Sequence, residues 1–125
     1  MQEIEIIEGN KLIAEFMGGV LKHESIYSDP KYSFYDFGDN KVIPFDKLKY
    51  HKDIKQQMTV VEKIEHTSVD GQTLPRVTID TTFVRIWHQE PPIEHHVFDT
   101  KEQALFNAMV EFIKWYNQNK PYDKR

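Results

Sequence analysis

The stretch Thr100–Asn119, TKEQALFNAMVEFIKWYNQN, reads as one long amphipathic helix, and the rest of the fold has to be arranged around it. Thr100 followed by Gln103 is a capping-box pattern, in which the hydroxyl accepts from a first-turn amide and the amide side chain reaches back. Glu102 sits at the positive end of the helix, where a carboxylate is favoured. Leu105, Ala108, Met109, Phe112, Ile113 and Tyr116 recur at the helical period and form one apolar stripe. Phe106 and Trp115 flank that stripe on opposite sides, and Val110 lies further round. Gln103, Asn107, Glu111, Lys114 and Gln118 leave only a narrow polar ridge. So wide an apolar arc needs cover. Either the helix is buried deep in its own core, or the flank at Phe106, Val110 or Trp115 meets a second subunit.

The 125 residues correspond to one domain, read as residues 1–120 with a short polar tail at 121–125. A chain of this size buries roughly two thirds of its unfolded surface, enough for a core without staples. There is no cysteine, so disulfide and thiolate chemistry are excluded, which fits a reducing compartment. A formal net charge of -4 argues against general nucleic-acid binding. No apolar run approaches membrane-spanning length, and the acidic start MQEIEIIEGN lacks the features of a signal peptide. The expectation is a cytoplasmic protein.

Working outward, Glu3 to Met17 reads as a first helix, with Ile6, Gly9, Leu12, Ile13, Phe16 and Met17 on one face and Gly18-Gly19 as its stop. A competing reading starts this helix at Asn10. Residues 20–31 read as a loop. Lys31–Phe37 and Lys41–Phe45 read as a hairpin about Gly38-Asp39-Asn40, with Pro44 confining the second strand to an edge. Asp53 is the expected N-cap of a helix running to about His66, with Gln56 three residues on as in a capping box, Ile54, Met58, Val61 and Ile64 as its stripe, Gln57 within that stripe and Glu65 near its margin. Arg76–His88 alternates in two phases, so it is one bulged strand or two strands meeting near Thr81-Thr82. Pro91-Pro92 forces a turn, and Ile93–Phe98 supplies a short strand before the last helix. This order predicts an α+β sandwich of about three helices around a small, largely antiparallel sheet, with room for helices on both faces.

Four segments carry a family resemblance. Asn10–Gly18 (NKLIAEFMG), Leu48–His51 (LKYH), Val60–Glu65 (VVEKIE) and Asn107–Asn117 (NAMVEFIKWYN) resemble, in order, those of the phage ABA-sandwich domain family, small proteins of phages and bacterial mobile elements. Lys52–Thr59, KDIKQQMT, departs from the family pattern, which places tryptophans and a Leu-Met pair there. The resemblance implies a layered helix, sheet and helix fold and a phage-like origin. It brings no catalytic residues and no cofactor.

Three groups carry candidate chemistry. His88, His95 and His96 surround Pro91-Pro92, with Glu90, Glu94 and Asp99 nearby. His95 and His96 point to opposite faces of a strand, but Glu94 and His96 share one, and His88 joining them across a hairpin would make a metal or acid-base site. In Lys49-Tyr50-His51, His51 is either a general base near Asp53 or the end of a turn below a packed Tyr50. In the aromatic strand, Tyr32, Phe34 and Asp36 face one way and Ser33, Tyr35 and Phe37 the other, so exposed rings there would stack on bases and buried ones would be core. Phosphate-cradling glycine loops, nucleophile elbows and paired cysteines are missing from the sequence. The leading expectation is a non-enzymatic phage-type accessory protein. It would act by protein contact, as a homodimer or with a host or phage protein, through Phe106, Val110 and Trp115. The alternative is an enzyme using His88, Glu94 and His96.

Overall fold

The first helix, α1 (Glu3–Phe16), opens with Gln2, whose N–H donates to the Glu5 carboxylate at 3.1 Å. It ends where Gly18 takes φ = 95°, a left-handed conformation that glycine adopts without strain. The helix therefore begins at Glu3, and Asn10 lies inside it as a buried residue rather than at its cap. The computed structural model describes residues 2–23 and 33–119. Most of the loop expected at 20–31, the start of the aromatic strand at Lys31 and Tyr32, and the tail at 121–125 lie outside these residues.

Val20–His23 is a strand, β1, not a loop. It pairs antiparallel with β2 (Ser33–Asp36), which pairs with β3 (Val42–Pro44). The turn between β2 and β3 uses Asp39 and Asn40 at φ of 52° and 64°, the conformation their short polar side chains tolerate best after glycine. Pro44 ends the edge strand as the sequence requires.

A 3-10 turn, Phe45–Lys47, leads to α2 (Ile54–Glu65), where Asp53 accepts from the N–H groups of Lys55 and Gln56. Gln56 does not close a capping box. Its side chain instead accepts from the Lys49 N–H at 2.8 Å and donates to the Lys47 carbonyl at 3.3 Å, tying the preceding loop to the helix. The buried face of α2 is Gln57, Val60, Val61 and Ile64, while Ile54 and Met58 are exposed. That rotation from the expected stripe follows from Gln57, whose side-chain amide donates to the carbonyls of Tyr50 at 2.9 Å and Glu102 at 2.8 Å.

The second sheet is β4 (Arg76–Ile79), β5 (Phe83–Trp87) and β6 (Ile93–His96), all antiparallel. Thr81-Thr82 separates β4 from β5, so the two-strand reading holds, and Val77, Ile79, Val84 and Ile86 all turn to the same side. The last helix, α3 (Lys101–Asn119), packs on β5 and β6 and also against α1 and α2, and Thr100 caps it by accepting from the Gln103 N–H at 3.0 Å. Among the described residues the molecule is thus an α+β fold of three α-helices and two small antiparallel sheets rather than one. Its core is continuous from Ile13 through Tyr35, Val60 and Ile86 to Ile113. No described helix is long and apolar enough to cross a membrane.

The segments Asn10–Gly18, Leu48–His51 and Val60–Glu65 meet around α3. Asn10 of the first bonds to His51 of the second, the His51 ring stands edge-on to Phe106 at 6.1 Å, and Val60, Val61 and Ile64 of the third are buried in the same core.

Candidate interaction surface

The flanks of α3 are covered by the chain itself. Phe106 is 2% exposed. α1 crosses it at Gly9, where there is no side chain to hold the helices apart, and a Cβ on Gly9 would fall 2.3 Å from Phe106 Cζ. Val110 is half-buried against the same glycine. Trp115 is half-buried, its ring centroid 4.5 Å from that of His88 in an edge arrangement. Phe112 lies 5.9 Å from the same imidazole and stacks on Tyr116 at 6.1 Å. The wide apolar arc is therefore explained by α1 on one side and the sheet on the other. Phe106 is a core residue and, contrary to expectation, offers almost no surface to a second subunit. What remains between α1 and α3 is an open groove of about 720 Å³, with Ile4, Leu12 and Val110 along it and Glu5, Glu8 and Lys114 at its rim.

His88, Glu94 and His96 do not converge. Glu94 stands opposite Arg85 and His96 opposite Phe83, which puts both side chains on the face of the second sheet away from α3. His88 follows Trp87 onto the other face and is buried against α3. The two-residue alternation of a strand separates them. Glu94 is instead an ion-pair partner of Arg85 at 2.9 Å, and His95 reaches Glu111 of α3 at 2.8 Å. Among the described residues no three His, Asp or Glu side chains are grouped to hold a metal ion.

His51 behaves as a packed turn residue. Its Nδ1 accepts from the Asn10 side-chain amide at 3.1 Å, and burial, followed by the charges of Lys52 and Lys49, holds its pKa below the ordinary value. Burial likewise lowers the pKa of His88, against smaller upward pulls from the Ile86 carbonyl and the Glu111 charge. In the first sheet Ser33 and Tyr35 are buried, so the Tyr35 ring belongs to the core. Burial, then the neighbouring Glu15 carboxylate that its hydroxyl meets at 3.4 Å, pushes the Tyr35 phenol up to about 12.

Among the described residues the most exposed aromatic side chains lie elsewhere, on or beside the outer face of β4, β5 and β6. Along β5 the side chains of Phe83, Arg85 and Trp87 point outward in sequence. The Arg85 guanidinium lies 4.3 Å from the Phe83 ring centroid and 5.1 Å from that of Trp87, so it bridges two rings while Glu94 holds its Nε and Nη2. Trp87 is 39% exposed and Phe98, beside His96 just past the strand, is 93% exposed. Arg76 stands across from Trp87 on β4. The sequence showed these residues as an alternating strand, but period alone does not say which phase faces a helix. The signal that identifies the outer phase is the pair Arg85 and Glu94, charges that strand burial would not tolerate. Comparison with protein-family models, with curated proteins and with solved structures finds no match, so the chemistry of this face is what the functional reading rests on.

Proposed function

We propose that this is a small, non-enzymatic accessory protein that acts by binding another protein, and that the outer face of β4, β5 and β6 is its contact surface. The observation that carries the reading is the ordered Phe83–Arg85–Trp87 row. Tryptophan and arginine are the residue types that dominate binding energy in protein interfaces, and here the arginine is already fixed by two rings and a carboxylate. A fixed side chain loses little freedom on binding. Arg76 and Arg85 outnumber Glu94 among the outward strand positions, on a chain whose formal net charge is -4. The matching partner surface is therefore apolar at its centre and acidic at its rim. The resemblance of NKLIAEFMG, LKYH, VVEKIE and NAMVEFIKWYN to phage ABA-sandwich proteins supports a phage or mobile-element origin and a host or phage protein as partner. The cysteine-free composition suits a cytoplasmic setting.

The test is affinity capture from host and phage-infected lysates with the wild-type chain and with Trp87→Ala in parallel. The expected result is a protein retained by the wild type and reduced at least roughly tenfold by the variant, since a central tryptophan typically contributes over 1.4 kcal/mol. Identical captures from both chains would overturn the reading. So would tight, salt-sensitive binding of single-stranded oligonucleotide that Trp87→Ala abolishes, because that would make the rings a base-stacking platform.

A further inference from the structure

The outer edge of β6 carries a second kind of information. A strand edge exposes main-chain N–H and C=O groups that template another strand unless something blocks them. At the opposite edge of this sheet the Val77 N–H, which turns away from β5, donates to the Glu65 carboxylate at 2.9 Å, so α2 closes that edge. The edge strand β3 of the other sheet is three residues long and ends in Pro44, which has no N–H. Among the described residues β6 has neither device within Ile93–His96.

The ladder fixes which groups β6 presents. The Val97 N–H donates to the Thr82 carbonyl at 2.9 Å, and in an antiparallel pair such exchanges recur at every second residue. His95 opposite Val84 and Ile93 opposite Ile86 are therefore the exchanging pairs. Glu94 and His96 between and beyond them turn their N–H and C=O groups to the open edge. The same two residues also place their side chains on the outer face, opposite Arg85 and Phe83. Arg85 bonds only Oε1 of Glu94, through both Nε and Nη2, and Oε2 accepts no hydrogen bond among the described residues.

We propose that β6 pairs antiparallel with β6 of a second copy of this chain, about a two-fold axis at His95. In that register Glu94 lies opposite the second copy's His96 and His96 opposite its Glu94. Both residues present edge-facing main-chain groups, so each pair exchanges N–H and C=O. The free Oε2 of Glu94 then accepts from the facing imidazole. Charge selects this register. Moving the pairing by two residues in one direction sets Glu94 against Glu94, like charges directly opposite, and in the other sets His96 against His96 and leaves Glu94 with no imidazole facing it. A shift of one residue opposes edge-facing groups with groups already bonded to β5. At the axis the two His95 rings lie on the inner face, and each is held by Glu111 of its own α3 at 2.8 Å, which draws the imidazoles away from one another. The result is a continuous sheet with three strands from each copy, and the Phe83–Arg85–Trp87 rows of both copies share one face. This inference goes beyond the contact surface above and does not depend on the partner bound there.

The experiment is size-exclusion chromatography with light scattering over a concentration series of the full chain, starting from the monomer mass of 14.9 kDa. The wild type is expected to approach twice that mass as concentration rises. His96→Pro removes an edge-facing N–H while sparing the bonds to β5, and is expected to be monomeric with an unchanged far-ultraviolet spectrum. His96→Glu leaves the backbone intact, sets Glu against Glu94 in both pairs, and is expected to weaken association by roughly tenfold or more. Mixing His96→Glu with Glu94→Lys restores one attractive geometry and is expected to recover a mixed dimer. A wild type that stays monomeric throughout, or an association that neither His96 variant changes, overturns the proposal while leaving the protein-contact reading to its own test.

Discussion

Gly9 of α1 lies against the Phe106 ring of α3, so closely that a Cβ at position 9 would sit 2.3 Å from Phe106 Cζ, with Phe106 Cε2 and Val110 Cγ2 each at 3.1 Å. The glycine is a liability for the helix and a requirement of the helix pair. It lets the wide apolar arc of α3 be covered by α1 instead of by another molecule.

Gly9→Ala should therefore destabilise the protein although alanine is the better helix former. Propensity favours the substitution by about 1 kcal/mol. Phe106 is nearly inaccessible and is backed by the His51 ring, so it has little room to swing away, and overpacking of this kind costs about 1–3 kcal/mol. We expect a net loss in urea unfolding and a partial recovery when Phe106→Leu is added, which a double-mutant cycle would read as favourable coupling. A stabilised Gly9→Ala chain would show that α1 is not seated as described.

Gln57 makes the second prediction. Its side-chain amide ties the Tyr50 carbonyl and the Glu102 carbonyl to α2, at a site with no solvent exposure. Gln57→Leu leaves those carbonyls without that donor and should cost about 1–3 kcal/mol. Gln57→Glu should be worse at neutral pH, because it sets a buried carboxylate against two carbonyl oxygens. Its folded pKa is then raised, so stability should return as pH falls and the carboxyl regains a proton to donate. A Gln57→Glu unfolding midpoint that does not rise relative to the wild type's on mild acidification would refute the assignment.

Much of the scaffold was legible in the sequence because its signals are local. The Thr100 cap, the Asp53 cap, the Gly18 stop and the Gly38-Asp39-Asn40 turn each act over a few residues, and each stands where the pattern put it. What was not legible depends on distant partners. Gln57 falls within the expected α2 stripe, but the carbonyls of Tyr50 and Glu102 that bury it, one of them on another helix, are distant in sequence, so the exposure of Ile54 and Met58 was not legible. The width of the α3 arc was legible, and burial in the chain's own core was one of its two readings, but nothing near Phe106 in sequence announces that Gly9 will be what crosses it. The histidines near Pro91-Pro92 failed to converge because alternation along the strands sends His88 inward and Glu94 and His96 outward.

His88 gives the third prediction. Its ring stands edge-on to Trp115 with centroids 4.5 Å apart, and burial holds its pKa below the ordinary 6.5. In Trp87→Phe, Trp115 is the single tryptophan and reports this pair directly. Its fluorescence should fall as the imidazole takes up a proton, with a midpoint below 6.5. A midpoint at or above that value would contradict the buried placement of His88.

The same shift makes a fourth prediction, for stability. The unfolded chain takes up protons at His88 and His51 near 6.5, while the folded chain resists until lower pH. The stability these histidines support is thus complete above 6.5 and is lost as pH falls through the window below it. The thermal midpoint should drop over that window, and His88→Phe, which keeps a ring against Trp115, should flatten the slope. An unchanged slope in His88→Phe would remove His88 from the account.

The central claim is that the apolar flank of α3 is satisfied within the chain and that the aromatic surface left exposed lies on the sheet side of the molecule. Urea unfolding of Phe106→Ala beside Phe98→Ala tests it most directly. The account predicts a loss of about 3–5 kcal/mol for Phe106→Ala, the cost of emptying a buried phenylalanine site, and a change within about 0.5 kcal/mol for Phe98→Ala. A small loss at Phe106, or a large one at Phe98, would place the free surface on α3 and contradict the account.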